Sequence, residues 1–253
     1  RVILATSCKG GVGKSTVAMN TAIALSKSGK SVGLFDADIY GPSVPLMANT
    51  LKDRLQKVGE KDFLPVAAHG IETVSAGNAV DRGAALIWKG PAVAGLLNQL
   101  LRDAKWSILD YLIIDTPPGT GDVLLSLAEN LPIDGALLVS SSQKVVAADV
   151  VKSIDFLKKI EVPIFGIIHN FDGFICPCCG EKAKIFPGNG IEELSEKFNI
   201  PVIGSIPIDT TIPNAADKGV PAIIQNPESK YSQVFMEIAK KIIREMPPKN
   251  QLN

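Results

Sequence analysis

The sequence predicts an α/β fold, in which a doubly wound and mostly parallel sheet carries helices on both faces. Three observations lead to this prediction. Short, nearly all-apolar runs alternate with helical patterns, and strands this apolar are buried on both faces. A glycine-rich turn joins the first strand to the first helix, and carboxylates follow two later strands. Ligands of such sheets bind beyond the carboxyl ends of the strands, so these residues form the candidate site.

Seven strands and six helices account for the alternation. The strands are predicted from runs of β-branched and other apolar residues at 2–7, 31–35, 71–75, 111–115, 135–140, 163–169 and 202–206. The helices are predicted from apolar residues at helical spacing at 16–28, 91–104, 121–130, 145–159, 191–198 and 233–245. Residues 49–68 are the least regular part of the chain, and we expect them to form a mobile insertion.

Composition and charge narrow the class of protein. The 253 residues contain 26 Lys and Arg against 26 Asp and Glu, which gives no general attraction to nucleic acid or to an anionic membrane. No apolar run approaches the roughly 20 residues of a membrane span, and no signal-peptide pattern opens the chain. We therefore expect one cytoplasmic domain over residues 1–253, without nucleic-acid or membrane partners. Because Arg1 lies at the edge of the first predicted strand, we also expect native residues upstream.

The most informative segment is residues 7–16, Ser-Cys-Lys-Gly-Gly-Val-Gly-Lys-Ser-Thr, between the first strand and the first helix. Such a turn aims backbone N–H groups at one point, where the helix dipole also favours a phosphate. Lys14 is expected to reach the outer phosphates and Ser15 to bind Mg²⁺, as in the G-x-x-x-x-G-K-[ST] pattern. Cys8 stands where this pattern has its first glycine, but the three later glycines are present. We therefore predict a nucleotide-binding phosphate loop.

Carboxylates follow the second and fourth predicted strands. Asp36 and Asp38 are two residues apart, so alternation places them on the same side of an extended backbone. Both are candidates to face a bound Mg²⁺ and the water that attacks the γ-phosphate. The apolar strand before Asp115 delivers this carboxylate toward the metal in the manner of a Walker B aspartate. One aspartate at a strand end is usually a cap, but three beside a phosphate loop predict a Mg²⁺ site.

A second candidate site is the loop 171–190, in which residues 174–180 are Phe-Ile-Cys-Pro-Cys-Cys-Gly. The Cys-x-x-Cys spacing of Cys176 and Cys179 indicates a metal or redox site rather than a disulfide in a cytosolic chain. The proline and the glycine favour a knuckle whose thiolates and N–H groups converge. One pair supplies only two of the four thiolates that a [4Fe–4S] cluster or a structural zinc requires. A C₂ homodimer would bring two pairs together around its axis.

Three alternatives remain open for these cysteines. Zinc suits the same four thiolates, so the spacing alone does not choose between zinc and a cluster. A thioredoxin-like redox pair would open a helix after an early strand, whereas this pair lies in a late loop. The cysteines could also be inert. Cys178 is an additional thiol, which could be a spare ligand, give alternative ligation or pair oxidatively.

These motifs are similar to those of the deviant Walker A family, which includes MinD, ParA and the nitrogenase iron protein. The resemblance is carried by Lys9 together with Lys14 in Lys-Gly-Gly-Val-Gly-Lys-Ser-Thr. Three further stretches resemble the Mrp/ApbC branch, whose members are ATP-binding iron–sulfur cluster carriers. They are Asp-Ala-Asp-Ile-Tyr-Gly-Pro-Ser-Val-Pro at 36–45, Trp-Lys-Gly-Pro at 88–91 and Asp-Thr-Pro-Pro-Gly-Thr-Gly-Asp at 115–122. The similarity covers about residues 2–221.

The resemblance implies a homodimer that binds and hydrolyses ATP and delivers a [4Fe–4S] cluster, held by Cys176 and Cys179, to apo iron–sulfur client proteins. It implies that Lys9 reaches the nucleotide of the partner subunit and that Asp38 lies nearest the attacking water. Asp115 would hold Mg²⁺ through water, with Ser15 and Asp36 completing that site. The catalytic candidates are Lys9, Lys14 and Asp38. The candidates for binding ATP or ADP are Lys9, Gly10, Gly11, Val12, Gly13, Lys14, Ser15, Thr16, Asn170, Pro207 and Asp209, of which the last three would hold the adenine.

The competing hypothesis is a positioning ATPase like MinD or ParA, with a structural zinc or inert cysteines. Such a protein needs a basic surface or a basic amphipathic tail. Here the charge balance is neutral, and Pro247 and Pro248 interrupt the tail after the last predicted helix. These features favour the carrier hypothesis.

Overall fold

The computed structural model describes residues 1–79, 90–176, 178–186, 188–209 and 211–249. The strands are β1 (Val2–Thr6), β2 (Val32–Asp36), β3 (Gln56–Lys57), β4 (Phe63–Leu64), β5 (Val66–Ala68), β6 (Ile71–Ser75), β7 (Tyr111–Asp115), β8 (Gly135–Ser140), β9 (Ile164–Ile175), β10 (Lys182–Ala183) and β11 (Val202–Ile208). The helices are α1 (Lys14–Lys27), α2 (Val44–Met47), α3 (Ala76–Ala79), α4 (Gly90–Asp103), α5 (Asp122–Asn130), α6 (Lys144–Lys159), α7 (Gly190–Phe198), α8 (Thr211–Asp217), α9 (Ala222–Gln225) and α10 (Lys230–Glu245).

One large sheet organises the fold and confirms the predicted class. Its strand order is β10-β9-β8-β1-β7-β2-β6-β5, and β11 also pairs with β9. The pairings β1–β7, β1–β8, β2–β6, β2–β7, β8–β9 and β9–β11 are parallel. Only the pairs β5–β6 and β9–β10 of this sheet are antiparallel within the described ranges. Because β1 lies centrally, the turn that follows it opens at the middle of the sheet's carboxyl edge.

Helices cover both faces of the sheet, as the apolar strands predict. Successive residues of β1 show the alternation, since Ile3 and Ala5 belong to one buried cluster and Leu4 to the other. The first cluster includes residues of α1, α8, α9 and α10. The second includes residues of α4, α5, α6 and α7. Strands buried on both sides hold their carboxyl ends at fixed positions, and this gives the residues beyond them a defined geometry.

Strand β9 departs most from the predicted elements. It was expected to end at His169 and instead runs to Ile175. An irregularity in the strand keeps β9 paired with β11. Ile206 of β11 pairs with Asn170, and Ile208 pairs with Phe174, so two steps along β11 match four steps along β9. Phe171 (φ 60°) has left-handed backbone geometry within this irregularity, which breaks the regular strand pattern. Asn170 therefore lies inside a strand rather than at its end, and the same strand leads directly to Cys176.

Several short elements were not predicted from the sequence. Helices α2, α8 and α9 contain seven residues or fewer, too few for a periodic pattern to be recognised. The irregular segment 49–68 contains the β3–β4 hairpin and β5, which lies at the edge of the sheet. Trp88 and Lys89 of the 88–91 stretch lie outside the described residues. Among the described helices, none has the length and apolar character needed to cross a membrane.

Candidate functional site

The phosphate loop connects β1 to α1 and surrounds a cavity of about 240 Å³, here called the phosphate cavity. Gly11 and Gly13 have φ near +80°, a conformation that favours glycine. Neither Gly10 nor Gly11 has an atom within 4 Å of the position that a Cβ would take, so open space faces this part of the loop. A Cβ on Gly13 would instead collide with the Asn170 side chain. The loop is therefore shaped to leave room for a ligand against its backbone.

Lys14 and Asp115 form a buried ion pair at the inner end of the phosphate cavity. Lys14 Nζ binds Asp115 Oδ1 and lies 3.2 Å from Ser15 Oγ. The second oxygen, Asp115 Oδ2, is buried without a hydrogen-bond partner in the described part of the chain. Burial raises the pKa of Asp115, although Lys14 opposes this effect. The predicted phosphate-binding lysine and the predicted Mg²⁺ carboxylate are thus neighbours that neutralise each other in this structure.

Asp36 lies on the strand next to Asp115, and the two residues are direct partners in the β2–β7 register. Asp36 Oδ2 accepts hydrogen bonds from Ser75 Oγ at 3.0 Å and from the Val44 N–H at 3.3 Å. Its Oδ1 accepts one from the Asp38 N–H at 3.2 Å. Complete burial, and then the neighbouring Asp115, raise the pKa of Asp36 to about 7. Asp36 therefore organises the loop that carries Asp38 as well as standing beside the predicted metal position.

The pKa of Asp36 makes a pH-dependent prediction about stability. An unfolded aspartate ionises near pH 4, so between about pH 4 and pH 7 the folded chain binds more protons at Asp36 than the unfolded chain. The stability contributed by this group must fall as the pH rises through that interval, by at most about 1.4 kcal/mol per pH unit. Asp36→Asn cannot titrate, so the stability of the wild type relative to this variant should decline from pH 5 to pH 8 in urea unfolding. Parallel pH profiles for the two chains would show the prediction to be wrong.

Asp38 lies on the wall of the phosphate cavity. Its Oδ1 accepts a hydrogen bond from the Gly41 N–H at 3.1 Å, which ties the carboxylate to the loop before α2. The structure thus brings Asp38 to the same cavity as Lys9 and Lys14.

The Lys9 side chain forms an ion pair within its own subunit in this structure. Lys9 Nζ lies 2.8 Å from Asp149 Oδ2 of α6, and Asp149 also pairs with Lys152 at 3.1 Å. Residue Cys8 contacts the same helix through Sγ, at 2.9 Å from the Asp149 carbonyl and 2.8 Å from Ser153 Oγ. Burial raises the pKa of the Cys8 thiol. Cys8 stands where the phosphate-loop pattern has its first glycine, and its side chain packs against α6. It is not among the residues that line the phosphate cavity.

A second cavity of about 220 Å³, here called the apolar cavity, adjoins the phosphate cavity and shares Gly13 and Thr16 with it. Asn170, Pro207 and Asp209, which were expected to hold an adenine, all line this cavity. Asn170 Nδ2 donates to the Val12 carbonyl at 2.8 Å, which fixes the phosphate loop against β9. The other walls come mainly from apolar side chains, namely Val17, Phe171, Ile208, Ile212, Pro213 and Ala216.

The cysteine site is a turn between β9 and β10. The Cys176 N–H donates to the Glu181 carbonyl at 2.9 Å, and the Gly180 N–H donates to the Cys176 carbonyl at 2.8 Å. Gly180 takes the left-handed conformation (φ 74°) that closes the turn. The backbone N–H of Cys179, followed by that of Cys178, lowers the pKa of Cys176. This is the predicted knuckle, although Pro177 itself lies outside the described residues.

All four cysteines are free thiols, and Cys178 and Cys179 are exposed. Within the described ranges, no group of three or more His, Cys, Asp or Glu side chains is placed to hold a metal ion. Cys176 and Cys179 of one chain supply two of the four thiolates that a [4Fe–4S] cluster or a structural zinc requires.

Some residues of the site were missed by sequence reasoning. Ser75 ends β6 beside Asp36, and the rule that polar residues follow strand ends would have found it. Asp149 lies inside α6 and carries no local signal. Tyr231 lines the apolar cavity from α10, where its spacing identifies it only as a residue of the buried helical face.

The fold and the nucleotide-binding geometry together define a P-loop NTPase. The family described as "ParA: NUBPL iron-transfer P-loop NTPase" matches residues 1–243, and the chain belongs to this family. This membership confirms the resemblance that the loop and the strand-end motifs indicate.

Individual relatives agree with this membership. The chain is 40% identical over 245 residues to the iron-sulfur cluster carrier protein of Haemophilus influenzae, covering 97% of this chain and 66% of that protein. It is 39% identical over 247 residues to the iron-sulfur cluster transfer protein NUBPL of Mus musculus, covering 97% and 77%. The chain therefore spans somewhat less than two thirds of the length of the bacterial carrier and about three quarters of the mouse protein.

Two solved structures, of a nucleotide-binding protein and of an ATPase, are similar to this chain in fold. A nucleotide-binding protein from Archaeoglobus fulgidus, in complex with ADP, matches with a TM-score of 0.78 and 34% identity, over 92% of this chain and 91% of that one. The cell division ATPase MinD of Pyrococcus furiosus matches with a TM-score of 0.71 and 24% identity, over 97% and 99% of the two chains. The likeness to MinD concerns the fold alone.

Proposed function

We propose that this chain is an ATP-binding and ATP-hydrolysing carrier, which works as a homodimer and holds an iron–sulfur cluster between its two subunits for transfer to apoproteins. The observation that carries the proposal is the knuckle at Cys176–Gly180, half of a four-thiolate site, at the end of the strand that also lines the apolar cavity. The names of the bacterial and mouse relatives support an iron–sulfur cluster as the group that is carried. The ADP complex of the archaeal relative supports an adenine nucleotide as the ligand of the phosphate loop.

The residues of the phosphate loop fit a nucleotide with Mg²⁺. Open space faces the backbone at Gly10 and Gly11, and Asp115 Oδ2 is a buried acceptor that lacks a partner among the described residues. Ser15, Asp36 and Asp115 would hold Mg²⁺ directly or through water, and the metal would neutralise charge on the phosphates. Binding would exchange the Lys14–Asp115 pair for contacts of Lys14 with phosphate oxygens. The adjoining apolar cavity has the lining expected for a base.

The cysteine knuckle fits half of a cluster site. Lowering the pKa of Cys176 increases the thiolate fraction, and the thiolate is the ligand form. Two copies of the Cys176 and Cys179 pair give the four thiolates of a [4Fe–4S] cluster when a C₂ axis passes between them. Each subunit would contribute half of the ligands. A nucleotide that changes how the two subunits are arranged in the dimer would therefore also change the affinity of the dimer for the cluster.

Anaerobic reconstitution tests this proposal directly. The wild-type chain is incubated with iron and sulfide, and iron, sulfide and zinc contents, absorbance and native mass are measured with and without Mg-ATP. We expect one [4Fe–4S] cluster per two chains, and dimers whose cluster retention depends on the nucleotide. Zinc without iron uptake would contradict the carrier function, and a complete cluster on a monomer would contradict the shared site.

A further inference from the structure

Tyr231 has an unusual environment for a buried tyrosine. It is the second residue of α10, only 2% of its surface is exposed, and its ring lies 4.8 Å from that of Phe235. Its hydroxyl is buried and has no hydrogen-bond partner in the part of the chain that the structure describes. Burial, and then the charge of Asp209, raise its pKa well above the usual range, so the group is a neutral hydroxyl. A buried hydroxyl without a partner costs stability, and it therefore calls for an explanation.

Two cavities meet at Tyr231. It forms part of the wall of the apolar cavity and part of the wall of a neighbouring cavity of about 340 Å³. The apolar cavity and the phosphate cavity adjoin each other, since Gly13 and Thr16 belong to the walls of both. A nucleotide whose phosphates lie against the loop would therefore place its base toward Tyr231.

Three other polar side chains line the apolar cavity, those of Thr16, Asn170 and Asp209. Thr16 Oγ1 lies 3.9 Å from Met47 Sδ. Asn170 donates from Nδ2 to the phosphate-loop carbonyl of Val12 at 2.8 Å. Asp209 Oδ1 accepts two hydrogen bonds from Thr211, one from the N–H at 2.8 Å and one from the hydroxyl at 2.6 Å. The Tyr231 hydroxyl, by contrast, has no hydrogen-bond partner among the described residues. It can both donate to and accept from a ligand.

We propose that Tyr231 is a specificity residue of the nucleotide site, and that its hydroxyl forms a hydrogen bond with the base of the bound nucleotide. This inference rests on the proposed function, since it requires a nucleotide in the adjoining cavities. A base carries ring nitrogens and exocyclic groups, and these can form the hydrogen bond that the Tyr231 hydroxyl lacks. A site with such a group discriminates against ligands that cannot pair with it.

The assignment gives Tyr231→Phe an uncommon pair of effects. Removing a buried hydroxyl that lacks a partner should raise the thermal midpoint of the nucleotide-free chain by a few degrees. The same change should weaken ADP binding about fivefold to tenfold, the value of one hydrogen bond. Tyr111→Phe is a matched control, because Tyr111 is also fully buried and its hydroxyl donates to the Met246 carbonyl at 2.9 Å. That variant should have a lower midpoint and wild-type affinity for ADP.

The experiment measures thermal unfolding without nucleotide and calorimetric binding of ADP and of ribose 5-diphosphate, which is ADP without its base. For Tyr231→Phe we expect weaker binding of ADP and unchanged binding of ribose 5-diphosphate. Unchanged ADP affinity, an equal loss for both ligands, or a lowered midpoint in this variant would each overturn the role of Tyr231. If the wild-type chain binds no ADP, the nucleotide function itself fails and this assignment fails with it.

Discussion

Cys176→Ser should abolish cluster uptake during anaerobic reconstitution and leave the affinity for ATP at the wild-type value. The serine hydroxyl stays protonated at neutral pH and is a poor ligand for iron, whereas the N–H groups of Cys179 and Cys178 favour the thiolate of Cys176. In a dimer each substitution removes two of the four ligands, so the loss should be nearly complete. The phosphate loop is built from other elements, and its hydrogen bonds among the described residues include those to Asp115 and Asn170.

Cys178→Ser provides the matched control for this experiment. Cys178 and Cys179 are adjacent, exposed and free, so substitution of either disturbs the turn to a similar extent. Only Cys179 has the Cys-x-x-Cys spacing with Cys176. We expect Cys179→Ser to lose the cluster and Cys178→Ser to retain it, as measured by iron content and absorbance. The reverse order would identify Cys178 as the second ligand, and full retention in Cys176→Ser would reject the knuckle as the cluster site.

The parts of the site that depend on local sequence could be predicted. The glycines of the phosphate loop have left-handed geometry at Gly11 and Gly13 because this turn needs it. Asp36 and Asp115 end neighbouring parallel strands and are register partners, as the rule on strand ends predicts. The knuckle at Cys176 also follows from its neighbouring residues in sequence. The glycine conformations and the knuckle each have their cause in one short segment, whereas the pairing of Asp36 with Asp115 follows from the parallel sheet.

Other contacts could not be predicted because they join distant segments. Lys9 meets Asp149 only because α6 packs beside the loop, and no pattern around either residue specifies that packing. The role of Cys8 was open for the same reason, since its Sγ contacts lie on α6. The irregularity after Asn170 depends on how β11 pairs with β9. Tyr231 reaches the apolar cavity through the placement of α10, which the sequence of that helix does not determine.

Lys9→Ala should leave ATP binding close to wild type while abolishing ATP-dependent dimer formation and lowering hydrolysis at least about 100-fold. Lys14 and the backbone N–H groups of the loop remain to bind the phosphates. A positive charge supplied across an interface to a reacting phosphate acts mainly in the transition state, and such groups contribute roughly 10³ to 10⁵ in rate. Light scattering with Mg-ATP would measure the dimer, and phosphate release would measure hydrolysis. Wild-type turnover by this variant would reject an intersubunit role for Lys9.

The contact between Lys9 and Asp149 allows this role to be separated from a structural one. If Lys9 acts from within its own chain, Asp149→Asn should reduce hydrolysis as strongly as Lys9→Ala, because the variant loses the 2.8 Å ion pair. If Lys9 acts on the partner's nucleotide, Asp149→Asn should keep or raise turnover, since it releases the lysine from a partly exposed ion pair. Lys152→Ala is the control, because it removes the other cation on Asp149 without altering the loop, and it should leave turnover unchanged. The comparison of these variants therefore decides whether the in-chain ion pair is an alternative position of Lys9 or its working position.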